Sequence, residues 1–280
     1  MLHFGLLGHP VAHSLSPVMH AASFRALGLE ADYRCFDVPP ERLSEQILRC
    51  RDEGFLGLNV TVPHKQAAVG QMDHLDISAQ RLGAVNTIRF DPDGTMTGFN
   101  TDASGFLADL RAAFGLMPMG QQILVVGCGG AGRAIAIACA LGGCDRLALA
   151  NRTAAKAEAL AREIAALSTP AGERTEALPA DPDAWVAAAR TANLVVQCTP
   201  SGLAEGDEPV LPAEAFRRGQ FLYDLVYTHP ETPTMRTARA GGAWAVNGLG
   251  MLVHQGAASF RIWTGREANL SAMRMAVEGA

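Results

Sequence analysis

This chain of 280 residues contains no apolar run of the about 18 residues needed to cross a bilayer, so a membrane-spanning helix is not expected. It has no basic stripe either. Lys and Arg number 23 against 28 Asp and Glu, and the formal net charge of -5 is spread along the chain. Nucleic acid is therefore not an expected partner. The opening MLHFGLLGHP lacks a charged n-region and a cleavage site, so a signal peptide is not expected. The six cysteines, Cys35, Cys50, Cys128, Cys139, Cys144 and Cys198, show no C-x-x-C spacing and mostly stand among apolar neighbours. That usage points to reduced, buried thiols in the cytoplasm and away from a disulfide framework or zinc site. No internal repeat or low-complexity tract is present. What remains is a chain 49% apolar, able to bury a core and long enough for two domains.

The stretch Gly57-Leu58-Asn59-Val60-Thr61-Val62-Pro63-His64-Lys65 organises the first part. Leu58, Val60 and Val62 alternate with Asn59 and Thr61, the period of a strand with one apolar face. Pro63 removes a backbone donor and ends the pairing, and Lys65 follows at the exit. Ligands of open α/β sheets gather at the carboxyl ends of strands. Lys65 is thus either a solvated lysine or part of a polar site.

Leu2 to Leu7 reads as the first strand. In GHPVAHSLSP, Gly8 to Pro17, Ser16 is a good N-cap and Pro17 a good first helical residue. The helix runs past Met19, Ala22, Phe24 and Leu27, and Gly28 ends it. Capping accounts for Ser16 but leaves Ser14 unexplained, and a helix N-terminus can hold an anion. His9, His13 and His20 are not spaced as metal ligands. Tyr33 to Val38 reads as a strand, and Pro40 to Arg51 as a helix with Leu43, Ile47 and Leu48 inward. Helices are expected from about Lys65 and near Ser78. Strand alternating with helix is the rhythm of a parallel sheet with crossovers. Asp91-Pro92-Asp93-Gly94 predicts a hairpin between Val85–Phe90 and Thr95–Phe99. Folding back there brings Asn100-Thr101-Asp102 level with Asn86, so Asn59, Lys65, Asn86 and Asp102 can converge. Asp102 is also a candidate N-cap for a helix from Ala103 to Phe114.

Gln122 to Val126 is a short apolar strand, followed by Gly127-Cys128-Gly129-Gly130-Ala131-Gly132 and an apolar helix to Leu141. The glycines match G-x-G-x-x-G in the strand–turn–helix context that dinucleotide binding requires. The strand Arg146–Ala150 ends at Asn151-Arg152-Thr153, with Lys156 one turn on. An NAD-preferring fold places an acidic residue there for the ribose 2′-hydroxyl. Two cations and a hydroxyl suit a 2′-phosphate instead, which favours NADP. Ser168 to Asp183 reads as a polar loop. Leu194–Gln197 is a strand closing with Cys198-Thr199-Pro200, and Phe221–Val226 reads as the last strand of this unit, ending at Tyr227. The helix opening in Ala245 to Gln255 runs to Trp263, with Met251, Leu252, Ala258 and Ile262 as an apolar stripe. Gln255 either faces the site or is solvated.

The motifs GHPVAHSLSP, GLNVTVPHK, GAVNTI, GFNTD, GCGGAG, NRT, DLVY and NGLGMLVHQ, in this order and along nearly the whole chain, resemble those of shikimate dehydrogenases. The resemblance implies an α/β fold of two domains. One, residues 1–103 and 248–280, binds substrate and is completed by the C-terminal helices; the other, 104–247, is a Rossmann domain for NADP. It implies that Ser14 and Ser16 hold the substrate carboxylate with Tyr227 nearby. Asn59, Thr61, Asn86, Asp102 and Gln255 would bind the ring hydroxyls, and Lys65 and Asp102 would be the catalytic pair. Gly127, Cys128, Gly129, Gly130, Ala131, Asn151, Arg152, Thr153, Lys156, Thr199, Leu225 and Gly248 match NADP contacts, with Met251 near the nicotinamide. No metal is implied, and the chain would act as a monomer or homodimer. The implied reaction is the NADPH-dependent reduction of 3-dehydroshikimate to shikimate in chorismate biosynthesis. A quinate/shikimate dehydrogenase and a non-catalytic NADP sensor are the alternatives. A sensor would be expected to have lost Lys65 or Asp102, and both are here. Members that favour quinate often carry threonine where this chain has Ser16. Ile77 departs from the family, which often has an acidic residue there.

Overall fold

The computed structural model describes residues 1–167 and 169–280. The chain divides into two compact units, residues 1–105 with 252–280, and residues 106–251.

The first unit begins with β1 (Leu2–Gly8), α1 (Ser16–Ala26), β2 (Ala31–Asp37), α2 (Leu43–Asp52) and β3 (Gly57–Val60). It continues through β4 (His74–Leu75), α3 (Ile77–Leu82), β5 (Thr87–Phe90) and β6 (Met96–Phe99). These strands form one sheet in the order β2-β1-β3-β5-β6-β4. β1 pairs in parallel with β2 and β3, since helices α1 and α2 carry the crossovers. The expectation of a parallel sheet holds for that half and for the edge pair β4 and β6, but not between them. The hairpin at Asp91–Gly94 makes β5 and β6 antiparallel, and β5 also docks antiparallel to β3.

One face of the sheet packs on α2 through Leu7, Leu43, Ile47, Leu58, Val60 and Ile88. Leu48, expected on the inner face of α2, is 41% exposed, and Cys50 is buried instead. The helix begins with a 3₁₀ turn at Pro40–Arg42, and its buried positions are 43, 47 and 50. On the other face, Phe4 stacks on Phe24 and on Trp263 at 5.2 and 5.1 Å between ring centroids. Burying each such ring is worth about 1.5–3 kcal/mol. Both faces of β3 are covered, so Asn59 is buried as fully as Leu58, and the alternation ends there: Val62 lies outside the strand and is exposed. Gly57 is required by packing. A Cβ there would collide with the Trp263 indole, whose N–H donates to the Ile88 carbonyl at 2.9 Å.

α4 (Asp102–Phe114) leads into the second unit, which comprises β7 (Gln122–Val126), α5 (Gly130–Leu141), β8 (Arg146–Ala150), α6 (Ala154–Ala165) and β9 (Thr175–Ala177). Then come α7 (Pro182–Thr191), β10 (Leu194–Gln197), β11 (Phe221–Asp224), α8 (Pro233–Ala240) and β12 (Trp244–Asn247). The sheet runs β12-β11-β10-β7-β8-β9, and every pairing is parallel. That is the doubly wound dinucleotide-binding order, with its switch point between β7 and β10. Two expectations are corrected. The segment expected as a loop, whose first residue Ser168 lies outside the described residues, contains β9 and the start of α7. β12, not β11, is the last strand, because α8 supplies one more crossover. α9 (Leu249–Thr264) and α10 (Leu270–Glu278) close the chain. The buried positions of α9 within the first unit are Val253, Gly256, Ser259, Phe260 and Trp263, so the expected stripe through Leu252, Ala258 and Ile262 is displaced by about one residue.

Candidate active site

The carboxyl end of β3 and the turns beside it carry a dense polar cluster. Lys65 leaves the turn after β3, and its Nζ donates to Asp102 Oδ2 at 2.7 Å. The pair is mostly enclosed, with side-chain exposures of 25% and 10%, so this charge-assisted bond is little screened. Asp102 is the first residue of α4, and the Asn100 side chain takes its backbone N–H at 3.0 Å. Asp102 is therefore inside the helix and does not cap it with its side chain, and its two oxygens are taken by Lys65 and Asn86. Asn86 Nδ2 donates to Asp102 Oδ1 at 3.0 Å and to Thr101 Oγ1 at 2.9 Å. Asn86 Oδ1 accepts the Thr101 N–H at 2.8 Å. Gln255 Oε1 lies 3.4 Å from both Asn86 Nδ2 and Thr101 Oγ1. Gly105 makes this approach of α9 possible, because a Cβ there would stand 2.7–2.9 Å from Gln255 atoms.

Beneath this layer lies Asn59. Its Nδ2 donates to the Asn86 carbonyl at 3.1 Å and to Ser259 Oγ at 3.0 Å, and its Oδ1 accepts from the Tyr33 hydroxyl at 2.8 Å. Asn59 is thus committed to protein partners and fixes the position of Asn86. Ser14 and Ser16 stand at the start of α1, but the N-cap is Leu15, not Ser16. Ser14 Oγ accepts the Ser16 N–H at 3.2 Å. Thr61 is half-buried on the turn after β3.

In the second unit, the β7–α5 turn has the shape its glycines imply. Gly127 has φ +102°, a conformation that favours glycine, and a Cβ there would press on Cys198 and Thr199. A Cβ on Gly132 would collide with the Gly127 carbonyl. Gly129 and Gly130 differ: no atom lies within 4 Å of where their Cβ would be, and both are exposed. Nothing in the protein needs glycine at these two positions, whereas a pyrophosphate on the α5 N-terminus does. Asn151 Oδ1 accepts the Cys128 N–H at 3.0 Å and its Nδ2 donates to the Thr153 carbonyl at 2.9 Å, which ties the two turns together. Arg152 and Lys156 are exposed, and neither pairs with a carboxylate among the described residues. Gly248 allows the chain after β12 to pass against the Leu225 carbonyl. Met251 is buried, and burial raises the Tyr227 phenol above its usual pKa. These residues fit NADP.

Known proteins share the pattern. Residues 6–88 match the shikimate dehydrogenase substrate binding domain, 112–200 the shikimate / quinate 5-dehydrogenase domain, and 248–278 the shikimate 5′-dehydrogenase C-terminal domain. The shikimate dehydrogenase (NADP(+)) of Methanopyrus kandleri is 45% identical over 275 residues, covering 98% of this chain and 93% of that protein. The chain belongs to the shikimate dehydrogenase family. Among solved relatives, shikimate 5-dehydrogenase of Thermus thermophilus in complex with NADP(H) and shikimate superposes with a TM-score of 0.88 at 42% identity, covering 100% and 99% of the two chains. Quinate dehydrogenase of Corynebacterium glutamicum in complex with NAD superposes at 0.91 and 31% identity, covering 100% and 99%. Within this shikimate dehydrogenase family, then, the backbone alone does not choose between the two acids.

Sequence reasoning missed Tyr33, Thr101 and Ser259, all of which bond members of the cluster. Thr101 had a signal, since it stands in GFNTD beside Asp102. Tyr33 and Ser259 had none, because each reads as an ordinary residue of its own strand or helix. Ile77, the visible departure from the shikimate dehydrogenase family, is 56% exposed at the start of α3, and the N-cap beside it is Asp76.

Proposed function

We propose that this chain catalyses the reversible reduction of 3-dehydroshikimate to shikimate, with NADPH as the reductant. Hydride addition to a ketone carbon places negative charge on its oxygen. Lys65 is the group that meets this charge: of its three N–H bonds one is held by Asp102, and the others are free to donate to the oxygen and then to protonate it. Asp102 aims the ammonium with one oxygen while Asn86 steadies the other. Asn86, Thr61 and Gln255 bind the ring hydroxyls, Asn59 supports them, and Ser14, Ser16 and Tyr227 take the carboxylate. Residues 1–103 and 248–280 serve the substrate and 104–247 the cofactor. Gly127–Ala131 cradle the pyrophosphate, Asn151–Lys156 with Arg152 foremost hold the 2′-phosphate, and Thr199, Leu225, Gly248 and Met251 line the remainder. When bound, NADPH supplies the hydride.

The observation that carries this reading is the enclosed Lys65–Asp102 pair joined to Asn86. Ser16, in place of threonine, supports shikimate over quinate. The six unpaired cysteines support a reducing, cytoplasmic setting, and no helix among the described residues is long and apolar enough to cross a membrane. The protein would work as a monomer or a homodimer. Initial rates with shikimate and quinate, each with NADP+ and NAD+, test the reading. Shikimate with NADP+ should be the best pair by a wide margin. An absence of turnover with shikimate under all conditions would overturn it.

A further inference from the structure

The substrate cluster rests on a buried group that the reaction scheme above does not use. His20, on α1, is fully buried, and neither ring nitrogen meets hydrogen-bond geometry with a partner among the described residues. Its ring lies flat on Tyr33, 4.6 Å between centroids and 9° from parallel, with Trp263 at 5.4 Å on a tilt. A histidine held in this way offers no bond of its own. It acts as one side of a slot that holds the Tyr33 ring.

The far end of that ring is where the slot matters. The Tyr33 hydroxyl donates to Asn59 Oδ1 at 2.8 Å. A primary amide has one accepting and one donating end: the Asn86 carbonyl can only accept and so claims Nδ2, and the Tyr33 hydroxyl supplies the donor that Oδ1 needs. With Oδ1 taken by Tyr33, Nδ2 must face the Asn86 carbonyl and Ser259. From Asn86 the bonding continues to Asp102 and from Asp102 to Lys65.

We propose that Tyr33, clamped by His20, is a positioning residue for the catalytic pair. Its hydroxyl anchors Oδ1 of the Asn59 amide and through it steadies the Asn86–Asp102–Lys65 geometry. This inference rests on the shikimate dehydrogenase reading, and it adds a residue that does not touch substrate.

The test compares the parent with Tyr33→Phe, which keeps the ring in its slot and removes only the hydroxyl. With shikimate and NADP+, kcat should fall about tenfold, as expected when a bond within a buried network is lost. A role in stability alone would lower the melting temperature and leave kcat in place. A second series keeps the hydroxyl: site-specific fluorotyrosines at position 33 change its acidity with almost no change of shape, and kcat should follow that acidity. The inference is overturned if Tyr33→Phe keeps kcat within about twofold of the parent or if the fluorotyrosine series is flat. If Tyr33→Phe does not fold, the fluorotyrosine series decides. A parent enzyme with no activity on shikimate would instead overturn the functional reading itself, so the two failures are distinguishable.

Discussion

Lys65 Nζ and Asp102 Oδ2 meet at 2.7 Å although 37 positions separate them in the chain. Two local decisions bring them together. The turn that follows β3 and contains Pro63 carries Lys65 inward, and the hairpin at Asp91–Gly94 returns β6 beside β5. Replacing Lys65 by alanine should lower kcat by about 10²–10⁴, the usual loss for an acid–base group, with a much smaller change in substrate affinity. Steady-state rates and equilibrium binding of shikimate measure both, and a near-normal kcat would remove Lys65 from the mechanism.

Arg152 should decide between the cofactors. Its guanidinium is exposed just after β8, without a carboxylate partner among the described residues and able to bond a 2′-phosphate. Arg152→Ala should weaken NADP+ by roughly ten- to a hundredfold, the worth of charge-assisted bonds of about 1.5–3 kcal/mol. NAD+ should be almost unaffected. Equal weakening of both in a binding titration contradicts a 2′-phosphate contact.

Two glycines of one turn should behave differently. Gly129→Ala meets no protein atom, so the melting temperature should stay within about 2 °C of the parent, the range expected of a substitution without new contacts. NADP+ binding should nevertheless fall by about tenfold or more, because the methyl group occupies the approach of the pyrophosphate. Gly132→Ala collides with the Gly127 carbonyl and should lose stability as well, by about 1–3 kcal/mol. If Gly129→Ala binds NADP+ normally, the open space at this turn is not the pyrophosphate cradle.

Substrate choice turns on a smaller difference. Quinate carries every ring hydroxyl of shikimate and adds one at C1, and a pocket rejects an added hydroxyl by only about 10². A preference for shikimate of that order in kcat/KM is therefore expected. Ser16→Thr should narrow it, and Ser14→Ala should weaken both substrates. Comparable kcat/KM for the two acids in the parent would favour a catabolic quinate/shikimate dehydrogenase.

His20 should make stability depend on pH. Burial lowers its pKa from 6.5 to about 3, so between these values the unfolded chain binds a proton that the folded protein excludes. The stabilising effect is complete above pH 6.5 and is lost progressively as the pH falls towards 3. The whole shift corresponds to about 5 kcal/mol. Denaturant midpoints of the parent should drop more steeply from pH 7 to pH 4 than those of His20→Phe. Parallel curves would show that His20 takes up protons equally in both states.

Much of the site was legible because its residues stand beside punctuation that short-range chemistry fixes. Pro63 marks the turn between β3 and Lys65, Gly127 needs a left-handed turn, and a doubly wound order follows from strand–helix alternation. Leu48 and the α9 stripe were misplaced because helical periodicity leaves the facing direction open by a residue in either direction. The antiparallel pairing of β5 with β3 was not expected, because alternation of strand and helix does not reveal where a hairpin's first strand will dock.

The sequence by itself determined the family, the order of the elements, the glycine-rich turn and the identity of the polar groups, since these depend on residue type and local spacing. Only the tertiary structure decided that Asn59 faces inward to protein partners and that Tyr33 and Ser259 belong to the site. Those roles require atoms from β2, β3, β5, α4 and α9 to meet, and Asn59 and Ser259, now 3.0 Å apart, are separated by 200 positions along the chain. No local pattern can carry that information, because hydrogen bonds are chosen by what burial brings within about 3 Å.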